Sequence, residues 1–116
     1  MENYENAVIG EETIIEENVS VGVRYHPAAG CAVIGDHSIL RSGTVIYGDV
    51  KTGSYFQSGH YTVIRARVEM GDYCTVTNGS VIEGLVKMGD SVRLMSHVYV
   101  CSRPVFGSRI ICGPGV

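Results

Sequence analysis

The sequence predicts an all-β fold, a parallel β-helix in which the chain winds repeatedly around one axis. Two observations lead to this prediction. Apolar or small residues recur every six positions from Ile34 to the end of the chain, and a glycine followed by Asp or Ser recurs every eighteen positions. Three six-residue units therefore make one coil, and successive coils stack as parallel strands about 4.8 Å apart.

The six-residue period identifies the residues that face the core. Side chains alternate across a strand, so the fifth residue of one unit and the first of the next both point inward, around one outward residue. Of the fourteen first positions, eleven are aliphatic, Met or Phe. The first positions are Ile34, Leu40, Ile46, Thr52, Ser58, Ile64, Met70, Val76, Ile82, Met88, Leu94, Val100, Phe106 and Cys112. The fifth positions are Ser38, Thr44, Val50, Phe56, Thr62, Val68, Cys74, Ser80, Val86, Val92, Val98, Pro104, Ile110 and Val116.

The eighteen-residue period marks one corner of each coil. The tripeptides that begin at residues 34, 52, 70, 88 and 106 are IGD, TGS, MGD, MGD and FGS. Glycine tolerates positive φ at a corner, and Asp or Ser can bond to the nearby backbone. The i, i+3, i+4 spacing of a helix is missing, so no helix competes.

The N-terminal part contains one earlier coil, from Ile9 to His26, before the register breaks. Residues 27–33 are one longer than a six-residue unit and are predicted to form a loop extruded from a corner, where function is often found. Residues 1–8 are predicted to be a polar lead-in. Residues 1–116 thus form a single domain of about five full coils and a partial sixth.

Charge and composition exclude several classes of partner. Nine Lys and Arg against twelve Asp and Glu give a net charge of −3, which favours neither nucleic acid nor an anionic membrane. No apolar run is long enough to cross a bilayer, and no secretory signal is recognisable, so we expect a cytoplasmic protein. The four cysteines form no CxxC pair and are expected to be reduced.

Residues eighteen apart lie above one another, so each outer face can be read as a column. One column is apolar: Val45, Val63, Val81 and Tyr99. An apolar stripe is unusual on a monomer, and we predict that it forms the subunit interface of a homotrimer around a threefold axis. The alternative is that these residues are present only for their strand propensity.

Two corner columns are predicted to be structural. Tyr47, Arg65 and Glu83 stack, and the last two could form an ion pair. A second column contains His37, Tyr55 and Tyr73.

Candidate chemistry lies at the edge that borders the apolar column. His60 and His97 both fall at corners of this edge, and Asn78 is one coil from His60. A neutral His60 could accept a proton from an amine or hydroxyl, while Asn78 and His97 could bind the substrate. The alternative is that both histidines are exposed corner residues without a role. Zinc needs a third ligand, and none is in register, so no metal is expected.

The repeat pattern resembles that of the hexapeptide-repeat acyltransferases, and most closely the sugar N-acetyltransferases that use acetyl-CoA on nucleotide-linked amino sugars. The resemblance is carried by the loop after VGVRY and by the segments IGDHSILRSGTVIYGDV, FQSGHYTVIR, TNGSVIEG and GPGV. It implies a left-handed coil and a homotrimer with active sites between subunits. It also implies His60, at the matching GH position, as general base, and acetyl-CoA in the crevice between prisms. It identifies no acetyl-CoA-binding residue.

Two functions follow as expectations. The first is an acyl-CoA-dependent transferase acting on an amino sugar or a related amine or hydroxyl. The second is a non-catalytic trimeric assembly module, which could be a truncated acyltransferase. This alternative arises because the family usually continues beyond GPGV, whereas this chain ends at Val116, partway through a coil. Thr52 and Ser58 also depart from the pattern, because they are polar residues at inward positions. They make the core near His60 unusually polar.

Overall fold

The structure, a computed structural model, describes residues 4, 6–102 and 105–116, and residue 106 by its backbone alone. The described chain contains seventeen short strands and no helix. All strand pairs are parallel, and the strands form three sheets of six, six and five strands. Three strands make each coil, so the described residues form five complete coils and two strands of a sixth. The predicted β-helix is confirmed, and the coil is consistent with the left-handed course.

The three sheets are the faces of a prism, and each coil contributes one strand to each. The first sheet contains β1 (Ala7–Ile9), β4 (Ala32–Ile34), β7 (Val50–Lys51), β10 (Val68–Met70), β13 (Val86–Met88) and β16 (Val105–Phe106). The second contains β2 (Ile14–Ile15), β5 (Ile39–Leu40), β8 (Gln57–Ser58), β11 (Thr75–Val76), β14 (Arg93–Leu94) and β17 (Ile111–Cys112). The third contains β3 (Ser20–Val23), β6 (Val45–Tyr47), β9 (Val63–Ile64), β12 (Val81–Ile82) and β15 (Tyr99–Val100).

The core lies along the axis of the prism and consists of the predicted inward residues. Each of them from Ile34 to Val100 is buried. Pro104 and the Phe106 side chain lie outside the described residues. In the sixth coil Ile110 and Cys112 are half-buried and Val116 is exposed.

The polar inward residues are satisfied by local hydrogen bonds. The hydroxyls of Thr44 and Ser58 lie 2.8 Å apart, and Thr52 Oγ1 accepts the Gly35 amide at 3.3 Å. Among the described residues, no buried side-chain polar atom lacks a partner. The polar inward positions are therefore compatible with a closed core, because burying a polar group is costly only when it is left unpaired.

The Gly-Asp corners form a hydrogen-bonded ladder. Asp72 Oδ1 accepts the backbone N–H of Ser54 at 2.8 Å, and Asp90 Oδ1 accepts that of Asp72 at 2.7 Å. Ser108 continues the ladder by accepting the Asp90 amide at 3.0 Å. Each side chain thus satisfies a backbone donor of the preceding coil, which explains the eighteen-residue recurrence of Asp and Ser.

The first coil is longer than the others. Ile9 pairs with Ile34, twenty-five residues later, whereas Val68 pairs with Val86 at the usual eighteen. One extra residue is a bulge at Gly22, where an added Cβ would lie 2.0 Å from the Asn6 carbonyl oxygen.

The remaining extra residues lengthen the corner between β3 and β4, which spans residues 24–31. The predicted loop over residues 27–33 therefore begins earlier, and its last two residues, Ala32 and Val33, belong to β4. The lead-in over residues 1–8 also ends in a strand, since Ala7 and Val8 belong to β1. Residues 1–3 and 5 of the lead-in lie outside the described part of the chain.

Candidate functional site

Three of the predicted site residues lie on one edge of the prism, between the second and third sheets. We call this the histidine edge, and it comprises His60, Asn78 and His97 on three successive coils. The backbone amide of His60 donates to Asn78 Oδ1 at 2.8 Å, and the His60 carbonyl accepts the Gly79 amide at 2.9 Å. The His97 amide donates to the Asn78 carbonyl at 2.9 Å. The fold therefore brings all three together.

All three side chains of the histidine edge are exposed, but they are not equally free. Asn78 uses its Oδ1 to hold the backbone of His60, as the aspartates do at the Gly-Asp corner. The His97 ring packs over the backbone of Gly79, where an added Cβ would lie 2.6 Å from Nδ1. The imidazole of His60 has no hydrogen bond or ion pair within the described part of the chain. It is therefore the group best placed to accept a proton.

Glu16 is a member of this edge that the sequence did not reveal. Its carboxylate accepts the Ser42 amide at 2.9 Å and contacts the Arg41 guanidinium at 2.8 Å. The Ser42 bond, then the Arg41 bond, lower the pKa of Glu16, and the charge of nearby His60 contributes in the same direction. Residues of the first coil lie beside residues twenty-five positions later, not eighteen. Counting by eighteen therefore does not place Glu16 beside this edge.

Concave surface lies at another edge, between the third and first sheets. A cleft of about 330 Å³, which we call the tyrosine–arginine cleft, is lined by Tyr25, Tyr47, Arg65, Arg67, Glu83 and Leu85, together with small residues. A neighbouring cleft of about 320 Å³ shares Tyr25 and Arg67 and extends under the 24–31 loop. The sequence indicated the loop, but not the cleft that it helps to form.

One wall of the tyrosine–arginine cleft is the predicted corner column. The Arg65 guanidinium lies 5.5 Å from the centre of the Tyr47 ring and 3.4 Å from the Glu83 carboxylate. The predicted Arg65–Glu83 contact is confirmed. The stack of His37, Tyr55 and Tyr73 is also confirmed, with ring centres 5.0 and 4.9 Å apart. It lies at the Gly-Asp corner, between the first and second sheets, and not at the edge that carries the cleft.

The loop that closes the cleft is anchored to the coil by Asp49. The Tyr25 hydroxyl donates to Asp49 Oδ2, and the Gly30 amide donates to Oδ1 at 3.0 Å. The Asn6 side chain adds a bond to the Gly30 carbonyl at 2.8 Å. Because ionisation would remove the bond to Asp49, the pKa of Tyr25 is raised above its ordinary value. The loop is thus tied at two points rather than projecting freely.

The predicted interface column is present on the third sheet. Val45 pairs with Val63, Val63 with Val81, and Val81 with Tyr99. The three valines are half-buried and Tyr99 is 57% exposed. The sheet register therefore aligns them as an outward apolar stripe, while a subunit contact through that stripe stays a prediction.

Among the described residues, no group of three or more His, Cys, Asp or Glu side chains could hold a metal ion. Within the same residues no helix is long and apolar enough to cross a membrane. All four cysteines are unpaired.

Comparison with known proteins found no matching family model, no matching curated protein and no matching solved structure. The function of this chain is therefore proposed from its residues, from their geometry and from the resemblance of its repeat segments.

Proposed function

We propose that the protein is an acyl-CoA-dependent transferase that uses acetyl-CoA to acylate an amino sugar or a related amine or hydroxyl. The observation that carries this proposal is the exposed imidazole of His60. The adjacent coil bonds both the backbone amide and the backbone carbonyl of this residue. A fixed backbone reduces the freedom that the side chain loses when it engages a substrate. The resemblance of the repeat segments to sugar N-acetyltransferases supports the same activity.

The chemistry assigned to His60 is general base catalysis. Its imidazole would accept a proton from the acceptor as the acceptor nitrogen or oxygen attacks the thioester carbonyl carbon. The carbon–sulfur bond then breaks, and the sulfur leaves with the electron pair and takes up a proton. No covalent enzyme intermediate is needed. Asn78 Nδ2 makes no hydrogen bond to another described residue and could bind a substrate, and His97 lies one coil further along the edge.

We further propose that the active form is a cytoplasmic homotrimer joined through Val45, Val63, Val81 and Tyr99. The histidine edge borders this stripe, because Val63 follows His60 by only three residues. A neighbouring prism on the stripe would turn the open edge into a crevice between subunits. Such a crevice could exclude water and hold both substrates, which an exposed convex edge does poorly.

The test is transfer from acetyl-CoA to a panel of amino sugars by His60→Ala. We expect a loss of about 100-fold or more, with the oligomeric state and unfolding temperature unchanged. The matched control is His37→Ala, which removes another exposed corner histidine on a different edge and should retain activity. Wild-type turnover by His60→Ala would contradict the assignment of the base.

A second function, a non-catalytic assembly module, is favoured by the structural use of Asn78 and His97. Both side chains contact the backbone of adjacent coils, so part of the histidine edge is explained without a substrate. Calorimetry with acetyl-CoA, combined with a mass measurement, separates the two functions. Micromolar binding, about −8 kcal/mol, supports the transferase, and an intact trimer without binding supports the assembly module.

A further inference from the structure

We infer that the tyrosine–arginine cleft is a binding site for a phosphate group, either the free ion or a small phosphate ester. This site is on a different edge from His60, and the inference does not depend on the transferase proposal.

The cleft exists because small residues recur along one corner. Ala66, Gly84 and Ser102 are eighteen apart, and all three line the cleft. Gly84 has a φ of 125°, and an added Cβ would lie 2.6 Å from the Ala66 carbonyl oxygen, so a side chain is excluded there. Long side chains on both flanks of these small residues produce a groove along the coils.

Two arginines of the same corner line this groove. Arg65 precedes Ala66 and Arg67 follows it, and both line the cleft. Paired arginines suit phosphate, because each guanidinium can donate two parallel hydrogen bonds to its oxygens. The lining of one cleft of about 330 Å³ therefore includes two arginines.

Neither arginine is fully neutralised by the surrounding acids. Within the described residues Arg67 makes no ion pair, and its contact is with the Tyr25 hydroxyl. Arg65 has one contact with Glu83, at 3.4 Å, which a stronger acceptor could displace. Asp49, the other acid nearby, already accepts from Tyr25 and Gly30. A phosphate would give Arg67 a charged acceptor in addition to the Tyr25 hydroxyl and would compete with Glu83 for Arg65.

The source of the phosphate is either the free ion or an ester. The rings of Tyr25 and Tyr47 lie 6.3 Å apart and tilted by 33°, which gives the cleft apolar walls beside its cations. These walls favour an ester whose organic part packs against tyrosine.

The experiment is calorimetric titration of the full chain with inorganic phosphate, glucose 1-phosphate and uridine monophosphate at one fixed ionic strength. We expect Arg67→Gln to weaken binding about tenfold or more, and Glu83→Gln to tighten it several-fold by releasing Arg65. The matched control is Arg93→Gln, which removes an exposed arginine on β14, outside the cleft, and should leave binding unchanged.

The outcomes divide clearly. Tighter binding of an ester than of inorganic phosphate identifies an ester site, and equal binding identifies a site for the free ion. Absence of binding by all three probes overturns the inference, as does equal weakening by Arg67→Gln and Arg93→Gln. If Arg67→Gln does not fold, the gain in affinity expected for Glu83→Gln decides. His60→Ala should bind phosphate normally, so failure of the transferase proposal and failure of this one can be told apart.

Discussion

Asn78 Oδ1 accepts the backbone amide of His60 at 2.8 Å, across two adjacent coils. Asp72 and Asp90 make the same contact at the Gly-Asp corner of the prism. Gly59 leaves room for it, because an added Cβ would lie 2.3 Å from Asn78 Oδ1. Asn78 therefore fixes the corner that carries His60, whatever else its amide binds.

Replacement of Asn78 by Ala should destabilise the fold by about 0.5–1.5 kcal/mol, because the His60 amide loses its acceptor. Asn78→Asp is the matched control, since it retains an acceptor oxygen and should stay close to wild type. Urea denaturation of both variants measures the difference. Equal stability of Asn78→Ala and Asn78→Asp would show that water replaces the bond at no cost.

Gly79→Ala tests the contact between His97 and the coil before it. Gly79 has a φ of 71°, and an added Cβ would meet the His97 ring at 2.6 Å. We expect a loss of about 1–2 kcal/mol from left-handed backbone strain, with a further loss from displacing the ring.

The control for that change is Gly113→Ala, where no described atom other than those of the adjoining residues lies within 4 Å of the added Cβ. Thermal unfolding of both variants provides the comparison. If His97 causes part of the cost, the double variant Gly79→Ala with His97→Ala should recover that part. No recovery would mean that backbone strain accounts for the whole effect.

The proposed trimer can be disrupted at Val63, which lies in the middle of the apolar stripe. Val63→Asp should convert trimers to monomers, because each interface would then bury an unpaired charge. Sedimentation equilibrium measures the mass. Gln57→Asp is the control, as it places the same charge at an outward position of β8 on another face. A trimer that survives Val63→Asp would refute this choice of face.

Glu16 predicts a specific pH dependence of stability. The pKa of its carboxyl group in the folded protein lies below its ordinary value of 4.5. The ionised group therefore stabilises the fold above that value, and this contribution is lost as the pH falls through the folded-state pKa.

The measurement is urea denaturation of wild type and Glu16→Gln from about pH 7 to about pH 3, the range in which carboxyl groups titrate. Wild type should be more stable at neutral pH, and the gap should close in acid. Glu17→Gln, which removes an exposed neighbouring carboxylate, controls for net charge. A gap that is constant across the range would contradict the assigned contacts.

The sequence predicted the coil positions well because a parallel β-helix repeats its contacts at the period of its sequence. Phe56 and Ile64 could be placed in the core, and Val63 and Val81 on one outer column, by counting alone. The contact of Arg65 with Glu83 followed from the same count. None of these needed long-range information, since neighbours in space are eighteen residues apart in sequence.

The Asn78–His60 contact was only partly predictable. Counting placed the two residues in one column, but it did not show that the Asn78 side chain bonds the backbone of His60. Nor did it show that the His97 ring covers Gly79. These details depend on side-chain directions at the corners, which the repeat leaves open.

The β-helix, the number of coils, the inward residues and the columns of each face could all be read from the amino-acid order, because one local period governs all of them. The arrangement of the irregular first coil is visible only in the folded chain. Its twenty-five residues place Glu16 beside the histidine edge and anchor the 24–31 loop to Asp49, next to Arg67. A segment outside the repeat has no period from which to read its neighbours, so its position is set by the hydrogen bonds and packing available once the coils have formed.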